Sequence, residues 1–327
     1  MRAIIVKAPG GPEALEEADV PVPVPGPGQV RIRVAAAAVN PVDAAVRSGA
    51  LAGAGLMPAF GTPPTPGSPI AAGPRAAVGI GMDVAGTVDE TGPGVAHLTA
   101  GDEVIGLQDR LDVPLAGYAE AIVLDAGAVA RAPRSVSPGE AATLPLNGLT
   151  ALQALDLLGL PPGGTLLVTG AAGAVGGYAV ELAALRGLRI VGSASAADEA
   201  LVRRLGAEMF VPRDVHLADA VRALVPGGVD GAVDAALLSA AALDAVRSGG
   251  TFAAVNGGPA VPVPLRGISV RNEWIRADAG QLGHLADLVD EGRLTLRVAG
   301  ALPLAEAAKA HVRLEAGGLR GRLVLTP

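Results

Sequence analysis

The segment Thr165-Leu-Leu-Val-Thr-Gly-Ala-Ala-Gly-Ala-Val-Gly-Gly177 constrains this chain more than any other. A short apolar run enters a turn with glycines at positions 170, 173 and 176 and continues into residues of helical composition. That order predicts a buried strand, a tight turn and a helix beginning near Val175. Side chains at the three glycines would block the turn, the approach of a pyrophosphate to backbone N–H groups, and close packing of helix on strand. The helix N-terminus would direct its N–H groups and positive dipole end at the phosphates. Three glycines alone suit any tight strand-to-helix turn, so the surroundings decide.

Those surroundings continue the pattern. Leu188-Arg-Ile-Val-Gly192 reads as a second strand, Ala197 to Leu205 as a helix, and Met209-Phe-Val211 as a third strand. Strand, helix, strand with short connections is the parallel crossover unit. Between residues 135 and 265 the alternation persists, with Pro138 to Thr143 and Ala151 to Leu158 helical, a helix at Ala218 to Leu224, a strand at Gly231 to Asp234, a helix at Leu238 to Val246 and a strand at Thr251 to Val255. This is an open parallel sheet with helices on both faces.

The first part of the chain reads differently. Ala3 to Val6, Gln29 to Val34, Val84 to Val88, Glu103 to Ile105 and Ala119 to Val123 are short strands broken by Pro and Gly. Alternation in Val30-Arg-Ile-Arg-Val34 marks a strand with one buried face, and the run from Pro21 to Pro27 excludes a central strand or helix. A small irregular β-barrel fits. Near the C-terminus, Gly280 to Leu288 and Ala305 to Leu314 have helical spacing and Gly321 to Leu325 reads as a strand returning to the barrel. The Pro-rich, Gly-rich stretch from Leu51 to Gly79, which contains Met57 and Phe60, has no period and reads as a functional lid or a disordered segment.

Composition narrows the partners. A net charge of −7 without a basic run excludes nucleic acid as the expected partner. The 25 basic residues include two lysines, Lys7 and Lys309, so phosphate contacts fall to arginine or backbone. With no cysteine in 327 residues, disulfides, thiolate metal sites and cysteine nucleophiles are excluded together. The opening residues are too briefly apolar for a signal peptide, and no membrane-length apolar run follows, so the sequence predicts a cytoplasmic protein without membrane partners.

The order of motifs resembles the medium-chain dehydrogenase/reductase superfamily, in its zinc-independent quinone oxidoreductase branch. The resemblance covers nearly the whole chain: Val39-Asn-Pro-Val-Asp43 with Arg47-Ser-Gly49, Gly81-Met-Asp-Val-Ala-Gly86, Gly101-Asp-Glu-Val104, Gly117-Tyr-Ala-Glu120, Leu144 to Ala151, the glycine turn, Leu205-Gly-Ala207 and Arg320 to Leu325. It implies an α/β chain with a GroES-like β-barrel substrate domain, residues 1–124 and 267–327, and a Rossmann doubly wound parallel-sheet domain, residues 125–266, that binds NADPH. It also implies a homodimer paired at the sheet edge near Val261 to Val270, where an uncovered apolar edge would otherwise invite aggregation. Zinc-using relatives carry cysteine and a Gly-His-Glu motif where this chain has Gly81-Met82-Asp83, so no zinc site of that kind is expected. The four histidines, His97, His216, His284 and His311, lack ligand spacing and read as surface or satisfied positions.

The resemblance assigns the pyrophosphate to Gly170, Ala172, Gly173, Ala174, Val175 and Gly176. An Asp or Glu ending the second strand would bind the ribose 2′-hydroxyl of NAD, whereas Val191-Gly-Ser-Ala-Ser195 leaves room for a 2′-phosphate. NADPH is therefore expected, with Ser193 and Ser195 as ligands, although Ser195 with Asp198 also reads as a helix-capping box. Arg203 and Arg204 are the nearby bases. Beside the nicotinamide the family places Asn40, Asp43, Thr150 and Asn256, of which Asn40 also suits a turn, and Asp43 and Thr150 also suit helix caps. Relatives often carry a tyrosine after the Asn-Pro-x-Asp motif, where this chain reads Ala44-Ala-Val-Arg-Ser-Gly-Ala-Leu51. No general acid is evident, and Tyr118 and Tyr178 read as structural. The expected activity is NADPH-dependent reduction of a quinone or an α,β-unsaturated carbonyl, with a dinucleotide-binding sensor or tailoring protein lacking turnover as the alternative.

Overall fold

The computed structural model describes residues 1–53, 77–111, 113–255 and 261–327. They form two compact units, the first of residues 1–146, 276–291 and 296–327 and the second of residues 147–275 and 292–295.

The first unit is built on antiparallel strands. The first strands are β1 (Arg2–Val6), whose last four residues are buried, β2 (Glu16–Asp19), which is largely exposed, and β3 (Gln29–Val39), where buried and solvent-side residues alternate over the first half. The inward residues of β3, Val30, Ile32 and Val34, are buried while Arg31 pairs with Asp89 and Glu90 at 2.8 and 2.6 Å. Each buried branched side chain contributes about 1.5–3 kcal/mol, and an exposed ion pair about 0.2–1 kcal/mol, so the apolar face sets the register. Helices α1 (Pro41–Arg47) and α2 (Ala50–Gly53) follow, then β4 (Val78–Gly79), β5 (Asp83–Thr91), β6 (Glu103–Leu107), β7 (Ala121–Asp125) and β8 (Val129–Arg131). The expected barrel continues past Leu124, because β8 pairs with β6 and carries the unit on to Leu146. Helix α3 (Pro138–Ala141) is capped by Ser137, whose hydroxyl accepts from the Glu140 N–H at 3.3 Å.

Helix α4 (Pro145–Leu158) starts earlier than the sequence suggests, because Pro145 suits a first helical turn. The second unit then alternates β9 (Thr165–Thr169), α5 (Ala174–Leu185), β10 (Arg189–Ala194), α6 (Glu199–Arg204), β11 (Met209–Pro212), α7 (Leu217–Leu224), β12 (Val229–Asp234), α8 (Ala240–Asp244), β13 (Val246–Val255) and β14 (Ser269–Glu273). The sheet has six parallel strands in the order β11-β10-β9-β12-β13-β14. All five residues of β9 are buried, as expected of a central parallel strand covered on both faces. The sequence ends this sheet at Val255, yet Ser269–Glu273 adds a further strand by pairing with Thr251–Val255, which moves the expected boundary at 266 to Ile275. Its alternating polar residues hide a strand that only one neighbour pairs.

The rest of the first unit is α9 (Ala279–Asp290), capped by Asp278 at 3.0 Å, β15 (Val298–Pro303), α10 (Ala307–Glu315) and β16 (Arg322–Thr326). Strand β16 pairs with β3, so the C-terminal segment closes the first unit as the sequence suggests.

Candidate functional site

The strand order reverses direction between β9 and β12, since β10 and β11 continue to one side and β13 and β14 to the other. In parallel sheets ligands bind at the carboxyl ends of the strands at that point. Here it is occupied by the glycine turn. Gly170 adopts φ +60°, a conformation that a side chain disfavours, and its N-terminal neighbour Thr169 ends β9. A Cβ on Gly176 would meet the Gly170 carbonyl oxygen inside van der Waals distance, so α5 packs against the turn only because this position is bare. Gly173 precedes Ala174, the first residue of α5. Thus Gly170, Ala172, Gly173, Ala174, Val175 and Gly176 form one continuous turn and helix start, the shape that a pyrophosphate requires.

Across the reversal, Asp234 ends β12 and is 1% exposed. Its carboxylate accepts from Thr169 Oγ1 at 2.6 Å, Leu238 N–H at 3.1 Å and Ser239 N–H at 2.7 Å. Thr169 Oγ1 in turn accepts from Ala236 N–H at 3.0 Å. The loop so held contains Leu237 at φ +57° and Ser239 at φ +54°, two non-glycine residues in the left-handed region. Such strain collects at ligand sites. Neither Asp234 nor Thr169 stands out in the sequence, where each is simply the last residue of a short strand.

The side of the sheet toward β10 carries the residues expected to meet the 2′-phosphate. Ser193 is 2% exposed within β10, and its carbonyl accepts from Ala171 N–H at 3.0 Å. Ser195 lies just beyond the strand and is half-buried. The capping box expected of Ser195 and Asp198 does not form: Ser195 makes no side-chain cap, Asp198 N–H donates to the Ser195 carbonyl at 2.8 Å, and α6 starts at Glu199. Arg203 is engaged with Glu199 at 2.8 Å. Sequence reasoning passes over Arg213, which follows β11, is exposed, and donates its backbone N–H to the Ala194 carbonyl at 2.8 Å. That bond sets its backbone beside the end of β10. Asn256 and most of the Leu51 to Gly79 stretch, residues 54–76, lie outside the described residues.

In the first unit, Asn40 and Asp43 enter a buried polar chain. Asp43 Oδ2 accepts from the Asn40 backbone N–H at 2.8 Å and from Tyr118 Oη at 3.1 Å. The Asn40 side-chain amide donates to Asp83 Oδ2 at 2.7 Å, and Leu146 N–H donates to Asp83 Oδ1 at 2.6 Å. On the far side His311 Nδ1 lies 2.9 Å from Arg47. Arginine only donates, so Nδ1 accepts, and the neutral ring keeps its proton on Nε2, which faces Tyr118 Oη at 3.4 Å. Arg47 also pairs with Glu315. From Arg47 through His311 and Tyr118 to Asp43 the donors therefore point the same way. Burial, reinforced by the Arg47 charge, pulls His311 down to about 4 and keeps it neutral. Burial pushes Asp43 up to about 7 against the hydrogen bonds from Asn40 and Tyr118, and pushes Asp83 up to about 7 against those from Leu146 and Asn40. The Arg322 charge pulls both back toward ionisation. Tyr118, which reads in the sequence as structural, and His311, which reads as a surface or satisfied position, hold this chain together with their rings edge to face at 5.9 Å. Thr150 falls inside α4 at 5% exposure, so it does not cap the helix.

The alcohol dehydrogenase GroES-like domain family matches residues 26–134, and the zinc-binding dehydrogenase family matches residues 205–325. A solved NAD-dependent alcohol dehydrogenase is 32% identical, with a TM-score of 0.84 and all of both chains covered. The quinone oxidoreductase from Coxiella burnetii is 28% identical, with a TM-score of 0.83 and 100% of this chain and 99% of that one covered. A chloroplast envelope quinone oxidoreductase homolog of Arabidopsis thaliana is 42% identical over 132 residues, 38% of this chain and 40% of that protein. The chain belongs to the medium-chain dehydrogenase/reductase superfamily of oxidoreductases, in its quinone oxidoreductase branch. It spans less than half the length of several curated relatives that it matches.

Two measurements check this geometry. Gly to Ala inside a helix ordinarily gains about 1 kcal/mol. At Gly176 the clash with the Gly170 carbonyl reverses the sign, and Gly176→Ala is expected to lose about 1–3 kcal/mol in chemical denaturation. A stabilised variant would refute the close packing. In the other unit the Tyr118 hydrogen bond favours ionised Asp43, so Tyr118→Phe is expected to cost about 1.5–3 kcal/mol above pH 7 and less below it, where the carboxyl holds its proton. Equal losses at about pH 5.5 and about pH 8.5 would show that Tyr118 does not serve the carboxylate.

Proposed function

We propose that this chain is an NADPH-dependent, zinc-independent reductase that transfers a hydride to a quinone or an α,β-unsaturated carbonyl. The observation that carries the reading is the carboxyl edge of the parallel sheet, where a bare glycine turn, a helix start and a strained loop meet at the reversal of strand order. NADPH supplies the hydride when bound. The turn from Gly170 to Gly176 holds its pyrophosphate. Ser195 and the Arg213 guanidinium receive the 2′-phosphate, with Ser193 behind them in β10, and the absence of a carboxylate at this strand end removes the group that would repel it. Asn256 is proposed as a contact on the nicotinamide side.

Zinc does not fit the residues present. The chain has no cysteine, and the carboxylates at Asp43 and Asp83 already accept from Asn40, Tyr118 and Leu146. Among the described residues no group of three or more His, Asp or Glu is arranged to hold a metal ion. In this reading Asn40 and Thr150 contact the reacting groups, and Asp43 sets the position of Asn40. No helix among the described residues is long and apolar enough to cross a membrane. The edge strand β14, preceded by exposed Val263 and Leu265, serves as the contact of a homodimer.

Stopped-flow oxidation of NADPH against a panel of quinones and enones tests the activity. Turnover with at least one acceptor is expected. Binding of NADPH with oxidation by none would favour a sensor or tailoring protein. Arg213→Ala is expected to weaken NADPH about tenfold or more, the loss of about 1.5–3 kcal/mol from a charged hydrogen bond, and to leave NADH unchanged. Equal losses for both cofactors would remove Arg213 from the 2′-phosphate.

A further inference from the structure

Among the described residues, two buried side-chain oxygens lack a hydrogen-bond partner, Thr251 Oγ1 and Glu273 Oε1. The two lie at different ends of adjoining strands. Thr251 pairs with Ser269 at the start of β14, whereas Glu273 is the last residue of β14 and pairs with Val255. Glu273 therefore stands at the carboxyl edge of the sheet, where ligands bind. It is 3% exposed, although Ser269 and Arg271, which share its face by the alternation of the strand, are exposed. A buried carboxyl with an unmade hydrogen bond is costly, and such groups in native proteins call for a purpose.

Its place across the sheet supplies one. The 2′-phosphate side of the dinucleotide belongs to β10, and the pyrophosphate to the turn after β9, so the nicotinamide half extends the opposite way, over β12, β13 and β14. Glu273 lies three strand spacings from β9, about 14 Å across the sheet. No charged residue occurs in the paired stretch of β13, Thr251 to Val255, and the ionisable residues nearest along the chain are Arg271 and Arg276. Burial alone pushes Glu273 up to about 7. A group with that value near neutral pH is suited to giving up a proton.

We propose that Glu273 is the proton donor of the reduction, a role that rests on the reductase reading. An α,β-unsaturated carbonyl that accepts a hydride at its β-carbon gains two electrons and becomes an enolate. The Glu273 O–H bond breaks, its proton forms the new C–H bond at the α-carbon, and the carboxylate left behind regains a proton from solvent. This fills the role left open by the segment Ala44 to Leu51, which contains no tyrosine.

The test compares wild type with Glu273→Gln, which keeps the shape and removes the acid. Trp274, the single tryptophan, is adjacent and 47% exposed, so energy transfer from it to NADPH measures cofactor affinity without turnover. The variant is expected to bind NADPH within about twofold of wild type and to lose about 10²–10⁴-fold in enone turnover. Wild-type turnover should fall as pH rises through about 7, and the residual rate of the variant should not. Stability gives a second readout: an unfolded glutamate ionises near 4.5 and the folded one near 7, so wild type loses stability relative to the variant across that window. Glu273→Asp, which retains an acid one methylene back, should retain more turnover than Gln. Glu273→Gln with wild-type turnover and the same pH limb overturns the proposal alone. A wild-type chain that reduces no acceptor overturns the reductase reading with it.

Discussion

The carboxyl edge of the parallel sheet depends on the Asp234 carboxylate. Three donors from Thr169, Leu238 and Ser239 converge on it and tie the end of β12 to the end of β9. Each charged hydrogen bond is worth about 1.5–3 kcal/mol, against about 1–3 kcal/mol for each of the two left-handed residues in the loop. The carboxylate is thus strong enough to hold Leu237 and Ser239 in conformations that they would otherwise leave. With that loop fixed, Ala236 stands 3.3 Å from the Cβ that Gly170 lacks, so a side chain there would crowd the loop. A binding surface held in shape before its ligand arrives loses less to ordering.

The first unit solves a different problem. It buries two carboxyls, Asp43 and Asp83, and stabilises them with neutral donors and with the charge of Arg322. A neutral His311 is essential to this arrangement, because a protonated ring would face Arg47 with a second positive charge. Directional donation from Arg47 through His311 and Tyr118 avoids that conflict. The chain anchors α1 and α10 to the barrel, and it fixes the amide of Asn40 against Asp83.

What the sequence reveals and what it hides follow from the range of the interactions. The glycine turn, the alternation of β3 and the crossover units are legible because their causes act between near neighbours. Thr150 suits the start of a helix in the sequence, yet Pro145 opens it well before that position. Ser195 and Asp198 have the spacing of a capping box, and a backbone turn takes its place. Arg213 and His311 carry no local signal, since their partners lie on other elements: Ala194 and Tyr118. Glu273 is the hardest to read, because a glutamate among Ser, Arg and Asn suggests a solvated loop, and only the pairing of β14 with β13 buries it.

We propose that this edge holds NADPH by its 2′-phosphate, and phosphorus NMR of the bound cofactor tests the proposal most directly. A free phosphate monoester titrates near pH 6. Beside the Arg213 guanidinium the bound 2′-phosphate is expected to stay dianionic to a pH at least about one unit lower, and Arg213→Ala should return it toward the free value. A bound 2′-phosphate that titrates like the free cofactor in both proteins would contradict the account.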